Sequence, residues 1–107
     1  MANNTVFLHM VYFWLANSDD AEDTRNLVGG CQTYLAGIPG VQRFDVGLPA
    51  RTQRDVVDNS YDVALVVEFA DSAAHDVYQD HPDHLQFIKE CSHLWRRVQV
   101  YDTILSR

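Results

Sequence analysis

The chain has 107 residues, a length typical of one domain that can bury a core without disulfides or metals. Hydrophobic residues make up 47% of it and charged residues 21%, a composition that argues against intrinsic disorder. The formal net charge is −7, from 8 Lys and Arg against 15 Asp and Glu. Nucleic acids and anionic membranes are poor partners for such a chain, because both are recognised by basic patches.

The sequence is expected to form a single domain over residues 1–107, since no repeat, linker or low-complexity tract divides it. Cys31 and Cys91 belong to no C-x-x-C pair, which excludes a zinc ribbon or a redox motif. The apolar N-terminal run has no basic residue before it, is too short to span a bilayer, and contains His9. These features predict a reducing, cytoplasmic location.

The first strand and the first helix are predicted from their apolar patterns. Thr5–Leu15 is rich in aromatic and β-branched residues, which is typical of a strand buried on both faces or at an interface. Asn17 and Ser18 offer N-cap oxygens for a helix whose apolar face recurs at spacings of three and four up to residue 38. Gly29 and Gly30 lie inside it at a cost of about 1 kcal/mol each, and a close packing partner would explain them.

The remaining elements follow from alternation and from capping residues. Residues 61–69 show the clearest alternation, with the side chains from Tyr61 to Phe69 at odd positions on one face. Asp71 and Ser72 can cap a short helix, and Pro82 begins a second one. The predicted elements are a strand at 41–48, a polar loop at 49–60, a strand at 61–69, helices at 73–80 and from 82 onward, and a strand at 97–105.

The resulting order, β-α-β-β-α-β with the second helix broken, predicts an α+β ferredoxin-like fold. Its four-stranded antiparallel sheet carries the helices on one face and leaves the other face open. Because the first strand is apolar on both faces, the open face would be a large apolar patch. We therefore expect a homodimer in which two sheets face each other and close a barrel.

The densest polar stretch runs from Tyr78 to His84. Pro82 places His84 in the first turn of a helix, where the dipole favours a neutral imidazole that can act as a general base. The Tyr78 hydroxyl could then orient a substrate oxygen or donate to an enolate. The alternative is structural, with His84 capping or packing the helix and Tyr78 in the core.

The other histidines and Trp95 have weaker signals. His81 and His84 have the i, i+3 spacing of metal ligands, but no spacing identifies a third ligand, so no metal is predicted. His9 lies inside the first strand, where it either lines a pocket or is satisfied by a backbone carbonyl. Trp95 is a packing residue or a pocket wall. His75 and His93 are expected to be solvated.

Three stretches of the chain resemble the stress-responsive A/B barrel (Dabb) family of dimeric α+β barrels. They are the strand His-Met-Val-Tyr-Phe at 9–13, residues 47–69, and the part from Ala74 through Tyr78-x-x-His81-Pro82-x-His84 to residue 102. The resemblance implies a ferredoxin-like monomer that dimerises sheet to sheet. Most members have no established activity. The resemblance therefore implies a stress-related protein whose physiological role is undefined.

Some plant members resemble polyketide cyclases, which catalyse an aldol condensation without a cofactor. The resemblance implies that His84 corresponds to the base of these members and Tyr78 to their hydroxyl donor. It also implies that His9 and Trp95 are substrate-binding residues of the pocket. Two positions differ, since this chain has Val63 in place of a second pocket His and Cys31 in place of an aromatic residue. These differences imply a pocket of another shape and another ligand.

Four functions are compatible with these observations. The first is a small homodimer whose apolar pocket binds an aromatic or ketone-bearing molecule. The second is a cofactor-free cyclase or lyase that uses His84 and Tyr78. The third is a cofactor-free monooxygenase of the antibiotic-biosynthesis type, and the fourth is a structural stress protein with a filled barrel.

Overall fold

The computed structural model describes residues 5–106 and has the expected ferredoxin-like architecture. Its four strands form one antiparallel sheet in the order β2-β3-β1-β4, and the helices pack against one face of it. Pro82 separates two helices, as predicted. The elements are β1 (Thr5–Leu15), α1 (Ala21–Tyr34), β2 (Arg43–Gly47), β3 (Val63–Phe69), α2 (Ser72–Asp80), α3 (Pro82–Cys91), a short 3₁₀ turn (Ser92–Leu94) and β4 (Trp95–Ser106).

Strand β1 is central because it pairs with both β3 and β4. Its odd-numbered side chains from Phe7 to Leu15 are buried beneath the helices. The even-numbered side chains point to the opposite, open face, where Leu8, Met10 and Tyr12 are half-buried. The register sets His9 between Val67 of β3 and Asp102 of β4. A histidine therefore lies in the middle of the apolar face that the helices cover.

Helix α1 begins and ends within the predicted segment. Its N-cap is Asp20, whose carboxylate accepts a hydrogen bond from the N–H of Asp23, and not the expected Asn17 or Ser18. The carboxylate reaches the free N–H groups of the first turn, and the two earlier residues lie in the preceding turn. The helix ends at Tyr34, before the Gly37-Ile-Pro-Gly stretch.

The packing of α1 on α3 explains one of its two glycines. A Cβ atom on Gly30 would lie 2.5 Å from the sulfur of Cys91, whereas one on Gly29 would meet nothing within 4 Å. The expected close packing partner is therefore α3, and it needs the space at Gly30 alone.

Strand β3 is shorter than predicted, because Tyr61 and Asp62 precede it. Tyr61 lies against Tyr12 of the open face, with ring centroids 4.9 Å apart, and so does not share the buried face of Val63 to Phe69. The buried carboxylate of Asp62 accepts hydrogen bonds from the N–H of Leu15 at 2.8 Å and the hydroxyl of Ser18 at 3.0 Å. This carboxylate therefore connects the end of β1 with the turn that leads to α1. Asp62 makes these contacts just before β3 begins at Val63.

The helices leave part of β4 uncovered. Val98, Val100 and Ile104 lie on the helix side of this strand, yet 38%, 40% and 57% of their surfaces are exposed. The cover consists of α1, α2 and α3 over the other strands, so a cleft opens between β4 and the last two helices. Within residues 5–106, no helix combines the length and the apolar character needed to cross a bilayer.

Candidate functional site

The cleft is a largely apolar pocket of about 280 Å³ between the sheet and helices α2 and α3. All four side chains predicted from the sequence to form the site, His9, Tyr78, His84 and Trp95, line it. They come from β1, α2, α3 and the start of β4, so the fold brings together residues far apart in the chain. The other lining residues are Val11, Phe13, Leu35, Leu65, Gln79, Phe87, Ile88, Val98 and Val100.

Tyr78 is fully buried in the last part of α2, and its hydroxyl has no hydrogen-bond partner among the described residues. Burial raises the pKa of Tyr78 far above its usual value of 10, so the phenol keeps its proton at neutral pH. Its ring lies edge-on to His84, with centroids 4.9 Å apart. The hydroxyl is thus a hydrogen-bond donor held in an apolar pocket beside an imidazole.

His84 occupies the third position of α3, and its Nδ1 atom is buried without a hydrogen-bond partner within residues 5–106. Burial lowers the pKa of His84, and the nearby His9 and His75 lower it further, against a smaller opposing effect of Asp80. The neutral imidazole expected from the first helical turn is therefore favoured chiefly by desolvation. A neutral ring presents one nitrogen lone pair that can accept a proton.

His9 is buried, and its Nδ1–H donates a 2.6 Å hydrogen bond to the carboxylate of Asp102 on β4. Burial lowers the pKa of His9, although the Asp102 carboxylate opposes the shift. A neutral ring that donates from Nδ1 leaves Nε2 as the acceptor. The Asp102 carboxylate therefore holds the imidazole of His9 in one orientation in the pocket.

The role of Asp102 was missed from the sequence. The strand pattern places it on the same face as Val98, Val100 and Ile104, and a carboxylate on an otherwise apolar face is a signal for a specific partner. The β1–β4 register, which puts Asp102 opposite His9, is needed to identify that partner.

Of two other histidines, His75 differs from expectation and His81 does not. His75 is not solvated, because it stacks on Phe7 with centroids 4.5 Å apart and lies 4.7 Å from the His9 ring. His81 is the N-cap of α3, where its Nδ1 accepts a hydrogen bond from the N–H of Asp83 at 3.0 Å. The i, i+3 pair formed by His81 and His84 is therefore divided between a cap and the pocket.

Trp95 forms an aromatic wall with Phe13 and Phe87, at centroid distances of 5.0 and 5.6 Å. Cys31 and Val63, where this chain differs from the cyclase-like pattern, are fully buried and are not among the pocket-lining residues.

These elements define a ferredoxin-like α+β domain with an apolar pocket that contains a phenol and imidazoles. The profile of the stress-responsive A/B barrel domain matches residues 7–105. The chain belongs to this family. No protein of curated function matches the sequence.

Solved structures show the same fold over nearly the whole chain. A Dabb family protein with a ferredoxin-like fold from Mesorhizobium loti is 26% identical, with a TM-score of 0.76 over 92% of this chain and 95% of that one. A dimeric ferredoxin-like protein of unknown function from Thermobifida fusca is 17% identical, with a TM-score of 0.76 over 98% and 95%. A hydroxynitrile lyase from Passiflora edulis is 16% identical, with a TM-score of 0.75 over 94% of each chain.

Proposed function

We propose that the protein binds a small aromatic or ketone-bearing molecule in the pocket and performs cofactor-free acid–base chemistry on it. The observation that carries this proposal is the pair of buried, unpartnered polar atoms, Tyr78 Oη and His84 Nδ1, in an apolar pocket. Leaving such atoms without partners costs about 1–3 kcal/mol each, which a ligand with matching groups would recover. The volume of about 280 Å³ suits a small ligand, since ligand pockets are typically about 300–1,000 Å³.

The polar groups match a carbonyl compound with an acidic α-hydrogen. The neutral His84 imidazole accepts the proton from the α-carbon, and the C–H electron pair forms an enolate. The Tyr78 hydroxyl donates a hydrogen bond to the enolate oxygen, where negative charge develops. In a cyclase-type step the enolate carbon then attacks a second carbonyl, and the alkoxide formed from its C=O bond takes the proton back from His84. The reverse sequence, in which the same C–C bond breaks, is a lyase reaction.

The hydroxynitrile lyase among the structural neighbours supports this acid–base proposal. The family's description likewise supports a stress-related physiological role. A cofactor-free monooxygenase is a second candidate, and consumption of dioxygen with a hydroquinone substrate would distinguish it. A filled pocket in the folded protein would instead favour a structural role.

The binding and proton-transfer steps are tested separately with an aryl methyl ketone such as acetophenone. Quenching of tryptophan fluorescence reports binding, because Trp95 lines the pocket. Exchange of the methyl hydrogens for deuterium in D₂O, followed by NMR, reports removal of the α-proton. We expect His84→Gln to abolish protein-catalysed exchange and Tyr78→Phe to reduce it about 100-fold or more.

His93→Gln is the matched control, because His93 is exposed and lies outside the pocket. It should bind the ketone and catalyse exchange like the unsubstituted protein. Binding without exchange would retain the ligand-binding function and overturn the catalytic one. Exchange that persists in both pocket variants would show that neither residue carries the chemistry.

We also propose that the protein is a homodimer formed through the open sheet face. This face contains an aromatic cluster in which Tyr12 contacts Tyr61 and Tyr101, with centroids 4.9 and 6.1 Å apart. The Arg97 guanidinium lies 4.1 Å from the centroid of the neighbouring Trp14 ring. Such a surface is typical of an interface core rather than of a free face, and the neighbour from Thermobifida fusca is described as dimeric.

Sedimentation velocity at micromolar concentration tests the dimer. Met10→Glu places a charge in the centre of the open face and should shift the protein to a monomer, because the charge would be desolvated in the interface. Gln32→Glu adds the same charge on the exposed side of α1 and should leave the dimer intact. A monomeric unsubstituted protein, or a Met10→Glu variant that stays dimeric, would contradict this interface.

A further inference from the structure

One group of side chains next to the pocket has the composition and spacing of a transition-metal site. His9, His75 and Asp102 each offer one ligand atom, and these atoms all lie within 4.8 Å of one another. The three residues come from β1, α2 and β4, so the sheet and a helix hold them in place. Neither His75 nor Asp102 has a part in the acid–base step proposed above for Tyr78 and His84.

The two histidines of the group are more buried than ordinary surface histidines. The side chains of His9 and His75 are only 4% and 13% exposed, and their rings lie 4.7 Å apart. Two imidazoles so close can direct ring nitrogens toward the same ion. The more exposed carboxylate of Asp102 supplies a negative charge at the same point.

An ion must replace one hydrogen bond at each histidine. The Gln79 amide nitrogen lies 2.9 Å from His75 Nε2; for His75 to bind an ion, Gln79 must either release that lone pair or turn its oxygen to accept from Nε2–H, which leaves the lone pair on Nδ1. Between His9 Nδ1 and Asp102 Oδ1, at 2.6 Å, lies a single proton that a cation can replace. In a tetrahedral metal site with bonds of about 2.0–2.2 Å, neighbouring ligand atoms are about 3.3–3.6 Å apart, so side-chain movements of about 1–1.5 Å would bring the three atoms onto one ion.

We propose that His9, His75 and Asp102 form a binding site for a divalent transition-metal ion of the zinc type. Two imidazole nitrogens and one carboxylate oxygen favour Zn²⁺ and similar ions over Mg²⁺ or Ca²⁺, which prefer oxygen ligands. Binding releases the proton held between His9 and Asp102. Three protein ligands leave at least one coordination position open, as in catalytic zinc sites. Because His9 lines the pocket, a bound ion would lie beside a pocket ligand.

The test is a titration of the full-length, tag-free and chelator-treated protein with Zn²⁺ in competition with a chromophoric chelator. We expect one Zn²⁺ per chain, and an affinity about tenfold or more lower in both His75→Gln and Asp102→Asn. The matched control is His93→Gln, which removes an exposed histidine outside the group and should not change the affinity. Circular dichroism without zinc checks that each variant folds, and the two variants remove ligands from different elements.

Imidazole nitrogen NMR spectra provide a second readout that a purely structural role would not move. The nitrogen shifts of His9 and His75 should change on addition of Zn²⁺, and those of His93 should not. An absence of saturable binding, or equal affinity in all three variants, would overturn the site. Neither Tyr78 nor His84 is changed in this experiment, so its failure would leave the acid–base proposal standing.

Discussion

The close packing of α1 on α3 can be tested quantitatively by adding a single methyl group to α1. Gly29 and Gly30 are neighbours in the same helix, yet only Gly30 faces a partner closely. Replacing either residue by alanine should gain about 1 kcal/mol, because alanine loses less conformational freedom on forming a helix. At Gly29 nothing lies within 4 Å of the new methyl group, so the full gain should appear.

At Gly30 the same methyl group would lie 2.5 Å from the sulfur of Cys91, which is buried. Overpacking of this kind typically costs about 1–3 kcal/mol. Subtracting the helix gain, Gly30→Ala should destabilise the fold by up to about 2 kcal/mol. Gly29→Ala and Gly30→Ala should therefore differ by about 1–3 kcal/mol, although their chemistry is identical.

Urea unfolding followed by circular dichroism measures the difference, at one fixed protein concentration because a dimer's stability depends on concentration. A Cys91→Ala background isolates the cause, since the next nearest atoms to the new methyl group are then at 3.8 and 3.9 Å. There, Gly30→Ala should become stabilising by about 1 kcal/mol. Equal stabilisation by both alanines in the unsubstituted background would refute the close packing of α1 on α3.

Three further predictions concern the pocket and the core. Tyr78→Phe should leave the free energy of unfolding unchanged or raise it by about 1–3 kcal/mol, because it removes a buried hydroxyl without a partner; a clear loss in thermal or urea unfolding would show that the hydroxyl is satisfied. Stability should fall as the pH drops below about 6.5, because unfolded His84 then binds a proton that burial disfavours in the folded state. Urea titrations between pH 7 and 5 should show a weaker decrease for His84→Gln. Asp62→Ala should cost about 1–3 kcal/mol, because the buried N–H of Leu15 and the Ser18 hydroxyl lose their acceptor; an unchanged urea midpoint would contradict this role.

The polar atoms of the pocket lower the free energy of unfolding, and other interactions in the fold must offset this loss. Among the residues that the structure describes, Tyr78 Oη and His84 Nδ1 are buried without hydrogen-bond partners, whereas His9 Nδ1 is bonded to Asp102. A protein with a purely structural pocket would gain by replacing the first two with apolar residues. That contrast is why unfolding and proton-exchange measurements on the same variants are informative together.

Much of the fold could be predicted from local patterns. The aromatic and β-branched run at Thr5–Leu15, the Asp71 cap and Pro82 at the start of a helix each depend on residues close in sequence, and the structure confirms the strand, the cap and the helix start. The start of α1 was predicted wrongly because several acceptors in a row, Asn17, Ser18 and Asp20, have similar capping propensity. Which one reaches the first turn depends on the Asp62 carboxylate, 40 or more residues away, that holds the preceding turn.

The sequence by itself determined the element order, the residues with apolar faces and the types of residue able to move a proton, because helix and strand periods and side-chain chemistry are local properties. Tertiary structure alone decided that His9 meets Asp102, that His75 joins them, and that Tyr78 and His84 are buried without partners. The reason is physical, since strand register and helix packing set distances between residues remote in the chain. Burial in that arrangement then determines which of these groups hold protons and which are free to accept them.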